Sequence, residues 1–201
     1  MRQKAKTSRL FTVQSMSDPT AFPKDLKVRK AIALDAKAIS EIYNQAIEER
    51  MATFETEPRT ESDFSKSIVE HDERHPILVA LKSRKDEMAL GTHEAIVGWA
   101  SISTYRPRPC YSGIGEFSIY VKKPFRGRGV GKRLMIALIE EASRLGYWKL
   151  VSRIFLFNVA SRNLCKSCGF REVGIYEKHG KLDGKWLDTV IVERQISENM
   201  I

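Results

Sequence analysis

The sequence has no apolar run approaching the roughly 20 residues that a membrane-spanning helix needs, and no short apolar leader core near its start. Neither a membrane partner nor export is expected, and the default address is the cytoplasm. Cysteine is scarce, with three in 201 residues; an odd number in a chain this long excludes a disulfide scaffold and fits a reducing compartment. His71, His75, His93 and His179 show no metal-ligand spacing. Cys165-x-x-Cys168 has no second Cys/His cluster to complete the roughly four ligands that zinc takes, so no metal is expected. A redox pair would normally open a helix after a strand. These two cysteines sit one turn apart near a helix end and read as packing residues. Acids are missing from the first seventeen residues, where Arg2, Lys4, Lys6 and Arg9 stand before Asp18. Residues 1–26 read as a basic, flexible extension rather than an organellar transit peptide.

Positive charge is plentiful, with a net charge of +9 that suggests an anionic partner. The charges are scattered, with local density at residues 2–9 and 122–133, and no aromatic-interleaved basic platform occurs. Nucleic acid is therefore not expected.

The remaining chain is organised around residues 115–146. Glu116-Phe117-Ser118-Ile119-Tyr120-Val121 alternates and is rich in β-branched and aromatic residues, which predicts a strand. Arg126-Gly127-Arg128-Gly129-Val130-Gly131 is a basic, glycine-rich turn. Beyond it, Val130, Leu134, Ala137, Leu138, Ala142 and Leu145 recur at helical spacing, with Gly146 placed to end the helix. Strand, glycine turn and helix together form a phosphate cradle: glycine lets the backbone come close, and free N–H groups at the helix start point at the anion. The turn lacks the Gly-Lys-Ser/Thr ending of a nucleoside-triphosphate loop, and its glycine spacing does not suit a dinucleotide. A glycine turn before an amphipathic helix can also be a plain connection.

Around this centre the pattern predicts a short strand at 27–31, then a helix capped by Asp35 with Ile39, Ile42, Tyr43, Ala46 and Ile47 on one face. A loop over 51–58 follows, and then a second helix, ending near Asp72, that opens on a Thr60/Asp63 capping box. Strands are expected at 77–82 and 95–104 about a polar hairpin tip, and at 149–157. A helix at 160–167 and strands at 171–178 and 186–194, joined by 180–184, complete the chain. There is no internal repeat and no linker, so residues 27–201 read as one mixed α/β (α+β) domain.

Arg126-x-x-Gly129-x-Gly131 resembles the acetyl-CoA pyrophosphate loop of the GNAT superfamily of N-acetyltransferases. Three further stretches look like the phosphinothricin and methionine sulfoximine acetyltransferase branch of that superfamily. They are Glu41-Ile42-Tyr43-Asn44 with Ala52-Thr53-Phe54-Glu55-Thr56-Glu57-Pro58, Asn158-x-x-Ser161-x-x-Leu164 running into Gly169-Phe170, and Gly180-Lys181-Leu182-Asp183-Gly184-Lys185-Trp186-Leu187-Asp188. The resemblance covers residues 27–195. It implies a central twisted mixed sheet with two splayed parallel strands, 115–121 and 149–157, flanked by about four helices. It also implies a homodimer, and acetyl-CoA as co-substrate lying between the splayed strands.

Acetyl transfer from a thioester to an amine requires the amine to lose a proton and the thioester carbonyl to be polarised. Glu116 stands where the family places its catalytic carboxylate, and its neighbours Ile114, Phe117 and Ile119 are expected to give it an apolar setting. An ordinary strand-end acid is the plainer reading. The backbone of Ile119, Tyr120 and Val121 would pair with the pantetheine amides. Gly127, Arg128, Gly129, Val130, Gly131 and Lys132, with Arg126, would hold the pyrophosphate. Asn158 resembles the family's pantetheine-binding amide, and is equally placed to cap the helix that follows. Cys165 departs from the pattern, since the family has Tyr or His there as the acid for the leaving thiolate. A thiol is a poorer acid for that task. For the acceptor amine, Phe54, Arg108 and Tyr111 match the branch's substrate positions, Arg as a fork for an α-carboxylate; Arg106 could serve instead of Arg108, and Phe54 could be simple core. Trp99 and Trp186 read as core and interface aromatics.

These residues suggest acetylation of the α-amine of a small amino acid or a toxic analogue. The alternatives are acetylation of a protein N-terminus or lysine, which needs an open groove, and a CoA-binding sensor that has lost the chemistry.

Overall fold

A computed structural model of the chain describes residues 25–70, 73–85 and 92–200. All but the last two residues of the expected basic extension lie outside that range, as does much of the expected hairpin tip. Seven strands form one sheet: β1 (Leu26–Lys30), β2 (Ile77–Lys85), β3 (Thr92–Thr104), β4 (Ile114–Val121), β5 (Lys149–Phe155), β6 (Arg171–Leu182) and β7 (Lys185–Gln195). Their order across the sheet is β1-β2-β3-β4-β5-β7-β6. Helices α1 (Ala36–Glu49), α2 (Glu61–Glu70), α3 (Val130–Arg144) and α4 (Val159–Ser167) cover its faces. No described helix is long and apolar enough to cross a membrane.

Alternation along the strands sorts the core into two layers. Ile77, Val79 and Trp99 face α1, where Ile39, Ile42, Tyr43 and Ile47 meet them. Leu78, Ala80, Ala100, Ile102 and Phe117 face the other way, onto Leu134, Met135 and Leu138 of α3. Gly98 lets α3 lie close against the sheet, since a Cβ there would lie 3.0 Å from the Leu134 side chain.

All neighbouring strands are antiparallel except β4 and β5, which run parallel and are joined by α3. That pairing covers only Ile114–Glu116 against Lys149–Val151. Beyond it β4 stays with β3 as far as Val121, and β5 stays with β7 as far as Phe155. The expected splay is present.

Local chemistry accounts for the element ends. Thr60 and Asp63 form the expected capping box, with Thr60 N–H donating to Asp63 Oδ2 (2.8 Å) and Asp63 N–H to Thr60 Oγ1 (3.2 Å). Gly146, at φ 79°, closes α3 as expected, with Tyr147 N–H reaching back to the Ala142 carbonyl.

Two expectations are corrected. Asp35 precedes α1 but makes no side-chain cap bond. Its carboxylate instead accepts the Ile32 N–H (2.8 Å) and a two-pronged contact from Arg29 (2.6 and 2.9 Å), tying β1 to the helix entry. β6 does not stop at Lys178 but continues, past an irregularity, to Leu182; the hairpin turn is only Asp183-Gly184, both at positive φ (46° and 79°), the geometry of a two-residue turn. Of the core and interface readings of the two tryptophans, the core one holds for Trp99 (5% exposed) and not for Trp186, which is 58% exposed on the outer strands.

Two predictions follow from this packing. Leu134→Ala should lower the unfolding free energy by about 3 kcal/mol in urea titrations, because Leu134 is fully buried between α3 and β3. Glu141 is held at about pKa 2, below the ordinary 4.5, by Arg144 (2.7 Å) and then Lys30 (3.0 Å). Its contribution to stability is therefore complete above about pH 4.5 and is lost as the pH falls from there toward 2. Comparing urea unfolding at pH 6 and pH 3, Glu141→Gln should lose less stability than wild type, by on the order of 1–2 kcal/mol.

Candidate active site

Where β4 and β5 part, a cavity of about 590 Å³ opens between them. Its walls are β4 from Glu116 to Tyr120, β5 from Ser152 to Phe155, the loop Ala52–Glu55, one side of α4, and His179-Gly180 on β6. Glu116 is the last residue of β4 paired with β5, and Arg153 lies two residues past the last paired residue of β5, Val151. Their side chains meet across the parting: Arg153 Nη2 lies 2.5 Å, and Nε 3.2 Å, from Glu116 Oε1.

The apolar setting expected for Glu116 is not what surrounds it. Phe117 and Ile119 pack against the α3 layer, on the opposite face of the strand. The carboxylate meets a guanidinium instead.

A second carboxylate, Glu55, lines the opposite wall and is gripped by both ends of the Arg59 fork (2.7 and 2.8 Å), which hold it below the usual carboxylate range. Phe54 is a wall of the cavity. Its ring stands edge-on to Phe155, with centroids 4.7 Å apart, and lies so close to Gly180 that a Cβ there would fall 2.6 Å from it.

Arg108 and Tyr111 are not brought to this cavity. Pro109 to Tyr111 forms a single 3-10 turn that leaves Arg108 exposed, while Tyr111 packs edge-on to Tyr105 (5.9 Å) and the Arg106 guanidinium lies over the Tyr105 ring (5.3 Å).

Neither cavity-lining hydroxyl or thiol of interest is a ready proton donor. Burial pushes the Cys165 thiol up to about 12, so it stays protonated yet is a weaker acid than a free thiol. Tyr120, against Tyr43 (4.9 Å) and Trp99 (4.8 Å), is likewise driven by burial above the ordinary phenol range. Cys165 is thus a buried wall residue whose raised thiol is a poor match for protonating a leaving thiolate, in line with its departure from the family pattern.

Asn158 caps α4: its Oδ1 accepts the Ser161 N–H (3.1 Å), while Nδ2 donates to the Met51 carbonyl (2.9 Å), tying α4 to the loop after α1.

At the far end of β4 the glycine turn has the conformation its residues suggest. Gly127 and Gly129 sit at φ 70° and 80°, where a side chain would be strained. Arg133 N–H to Gly129 C=O is the first helical bond, so the N–H groups of Val130, Gly131 and Lys132 face out of the helix end. Gly131 also lets α4 close in, since a Cβ there would lie 3.0 Å from Leu164. Arg126 is engaged elsewhere. It donates to the Val121 carbonyl (2.9 Å) and pairs with Glu49 of α1 (2.6 Å), so it braces the turn rather than reaching toward an anion.

Sequence reasoning missed Arg153, Glu55 and His179. The one available signal for Arg153 was a lone charge within Leu150–Phe155, on the strand beside Glu116. Among the described residues no group of His, Cys, Asp and Glu could hold a metal.

The sequence profile of the acetyltransferase (GNAT) family matches residues 39–170. The L-methionine sulfoximine/L-methionine sulfone acetyltransferase of Pseudomonas aeruginosa is 31% identical over 170 residues, 83% of this chain and 92% of that protein. The phosphinothricin N-acetyltransferase of Streptomyces coelicolor is 28% identical over 172 residues, 86% and 97% of the two chains. Among solved structures, a phosphinothricin acetyltransferase from Sinorhizobium meliloti in complex with acetyl-CoA superposes with a TM-score of 0.73 at 30% identity, over 85% of this chain and 88% of that one.

Cys110 is exposed, whereas Cys165 and Cys168 are buried and driven above the ordinary thiol range. With a colorimetric disulfide reagent at pH 8, one thiol per native chain should react rapidly and the other two only on adding denaturant. Rapid reaction of a second thiol would show that the wall formed by α4 is open.

Proposed function

The chain belongs to the acetyltransferase (GNAT) family, and on that premise we propose that it transfers acetyl from acetyl-CoA directly to the α-amine of a free amino acid, with Glu116 as the base. Analogues of the phosphinothricin and methionine sulfoximine or sulfone type are the acceptors this reading favours, which makes the protein a cytoplasmic detoxification or resistance enzyme. The observation that carries the proposal is the carboxylate of Glu116 standing in a cavity at the parting of two parallel strands, with an anion cradle at the far end of the same strand.

The residues present suit acetyl-CoA. From Phe117 to Val121, β4 has a sheet partner only on the β3 side. Its other edge offers N–H and C=O groups of Ile119, Tyr120 and Val121 to the pantetheine amides. Gly127 to Lys132 would hold the pyrophosphate through the outward N–H groups of the helix start and the charges of Arg128 and Lys132. Arg126 holds that turn in place, and Asn158 fixes α4 against the cavity.

The acceptor arrives as an ammonium and gives its proton to Glu116. The free amine attacks the thioester carbonyl, forming the C–N bond. A β4 amide polarises the oxygen, the C–S bond breaks, and the second proton of the attacking nitrogen passes through solvent to the departing thiolate, leaving the acetamide and CoA thiol. That thiolate is a good leaving group, so loss of a competent acid at Cys165 does not stop the reaction. Phe54 and Phe155 supply the apolar wall for the acceptor's side chain.

A homodimer belongs to the same reading. Ile175 (52% exposed), Tyr176 (44%) and Trp186 (58%) lie on the outer hairpin of β6 and β7, an apolar surface that a second copy would cover. Light scattering should return twice the chain mass.

The test is thiol release from acetyl-CoA with L-phosphinothricin, L-methionine sulfoximine or a lysine peptide as acceptor. The amino acids should turn over, and Glu116→Gln should lower kcat about 10²–10⁴-fold. Turnover of the peptide alone would move the function to protein acetylation; CoA binding without any acetylation would make the chain a sensor.

A further inference from the structure

Arg153 is the only Lys or Arg among the described residues lining the cavity. Its fork is poorly matched where it sits. Nη2 and Nε both converge on one oxygen of Glu116, Oε1, although a guanidinium presents parallel N–H groups suited to both oxygens of a carboxylate. Neither Nη1 of Arg153 nor Oε2 of Glu116 has a hydrogen-bond partner among the described residues. The Arg153 side chain is 48% exposed and that of Glu116 22%, so both can be reached from the cavity.

An α-amino acid carries a carboxylate and an ammonium on one carbon, the same two charges in complementary order. We propose that Arg153 is the α-carboxylate site, and that occupying it transfers Glu116 from the guanidinium to the substrate ammonium. One ion pair, Arg153 with Glu116, is exchanged for two: Arg153 with the substrate carboxylate, and Glu116 with the ammonium whose proton it must take. Glu116 then becomes an available base only when the acceptor brings a carboxylate adjacent to its amine. The site thereby selects free amino acids over simple amines and over peptide N-termini, where that carboxylate has become an amide. The expected clamp, Arg108, is exposed outside the cavity, whereas Arg153 is already beside the base. This inference rests on the acetyl-transfer reading given above for the same cavity.

The experiment compares L-methionine sulfone with its primary carboxamide, on wild type, Arg153→Ala and Arg153→Lys, by steady-state thiol release. In parallel, calorimetry follows binding of L-methionine sulfone to the CoA-loaded proteins. Wild type should prefer the carboxylate, and Arg153→Ala should reduce that preference in kcat/KM by about 10–100-fold, mainly through KM. Arg153→Lys, which keeps a cation beside Glu116 but not the fork, should recover part of it. Calorimetric affinity for L-methionine sulfone should fall in step.

If Arg153→Ala lowers turnover of both compounds equally, or leaves the carboxylate preference and the calorimetric affinity intact, Arg153 only supports the structure and the inference is overturned. Arg153-dependent binding without acetylation would overturn the acetyl-transfer reading while upholding the carboxylate site.

Discussion

Three residue pairs of parallel sheet, Ile114–Glu116 with Lys149–Val151, are the constraint on which the rest of the molecule depends. On one side of that seam β1 to β4 form one half-sheet; on the other, β5, β7 and β6 form a second. Each strand bordering the parting keeps its outer neighbour, and so neither half loses its ladder when the two diverge. What the parting leaves is a row of backbone N–H and C=O groups on the inner edge of β4. Such groups are costly to enclose without partners, and a cofactor with amides along an extended arm is the partner chemistry they fit. Helix α3 spans the seam. It leaves β4 through the glycine turn and returns to β5, so the helix whose first N–H groups face outward also joins the two strands that part.

The elements carrying this arrangement were largely legible, because each is written in local chemistry. The glycines at positive φ, the Thr60–Asp63 box and the Gly146 stop depend on residues within a few positions of one another. The Arg153–Glu116 contact was not legible, because it joins residues 37 positions apart whose proximity exists only where the two strands begin to part. The same reason explains the misplaced apolar setting of Glu116. Adjacency in sequence put Phe117 and Ile119 beside it, whereas strand alternation turns Phe117 to the far layer. Arg108 and Tyr111 matched a pattern, but the prolines around them set a turn that aims away from the cavity.

Several motif residues hold the site together. Arg126 braces the turn against α1 through Glu49, Asn158 joins α4 to the loop that carries Phe54, and Gly131 admits Leu164 against α3. A motif therefore marks the location of a site with more certainty than it marks the chemistry of each member. Cys165 makes the same point. Its burial accounts for both its presence and its high pKa, and an inert thiol is compatible with a reaction whose leaving group needs little help.

The ion pair stands at the seam, where the fold and the proposed selectivity meet. A surface pair contributes little to stability, and one formed through a single carboxylate oxygen contributes little specificity to the fold. Held at the apex of a cavity, however, it keeps a carboxylate and a guanidinium facing the same space with donors and acceptors left over. A zwitterion can satisfy both groups better than they satisfy each other, and a molecule bearing only one of its two charges cannot. The parting that follows those three residue pairs thus also brings the two charges together, Glu116 in the last pair and Arg153 two residues beyond it, at one end of the cavity.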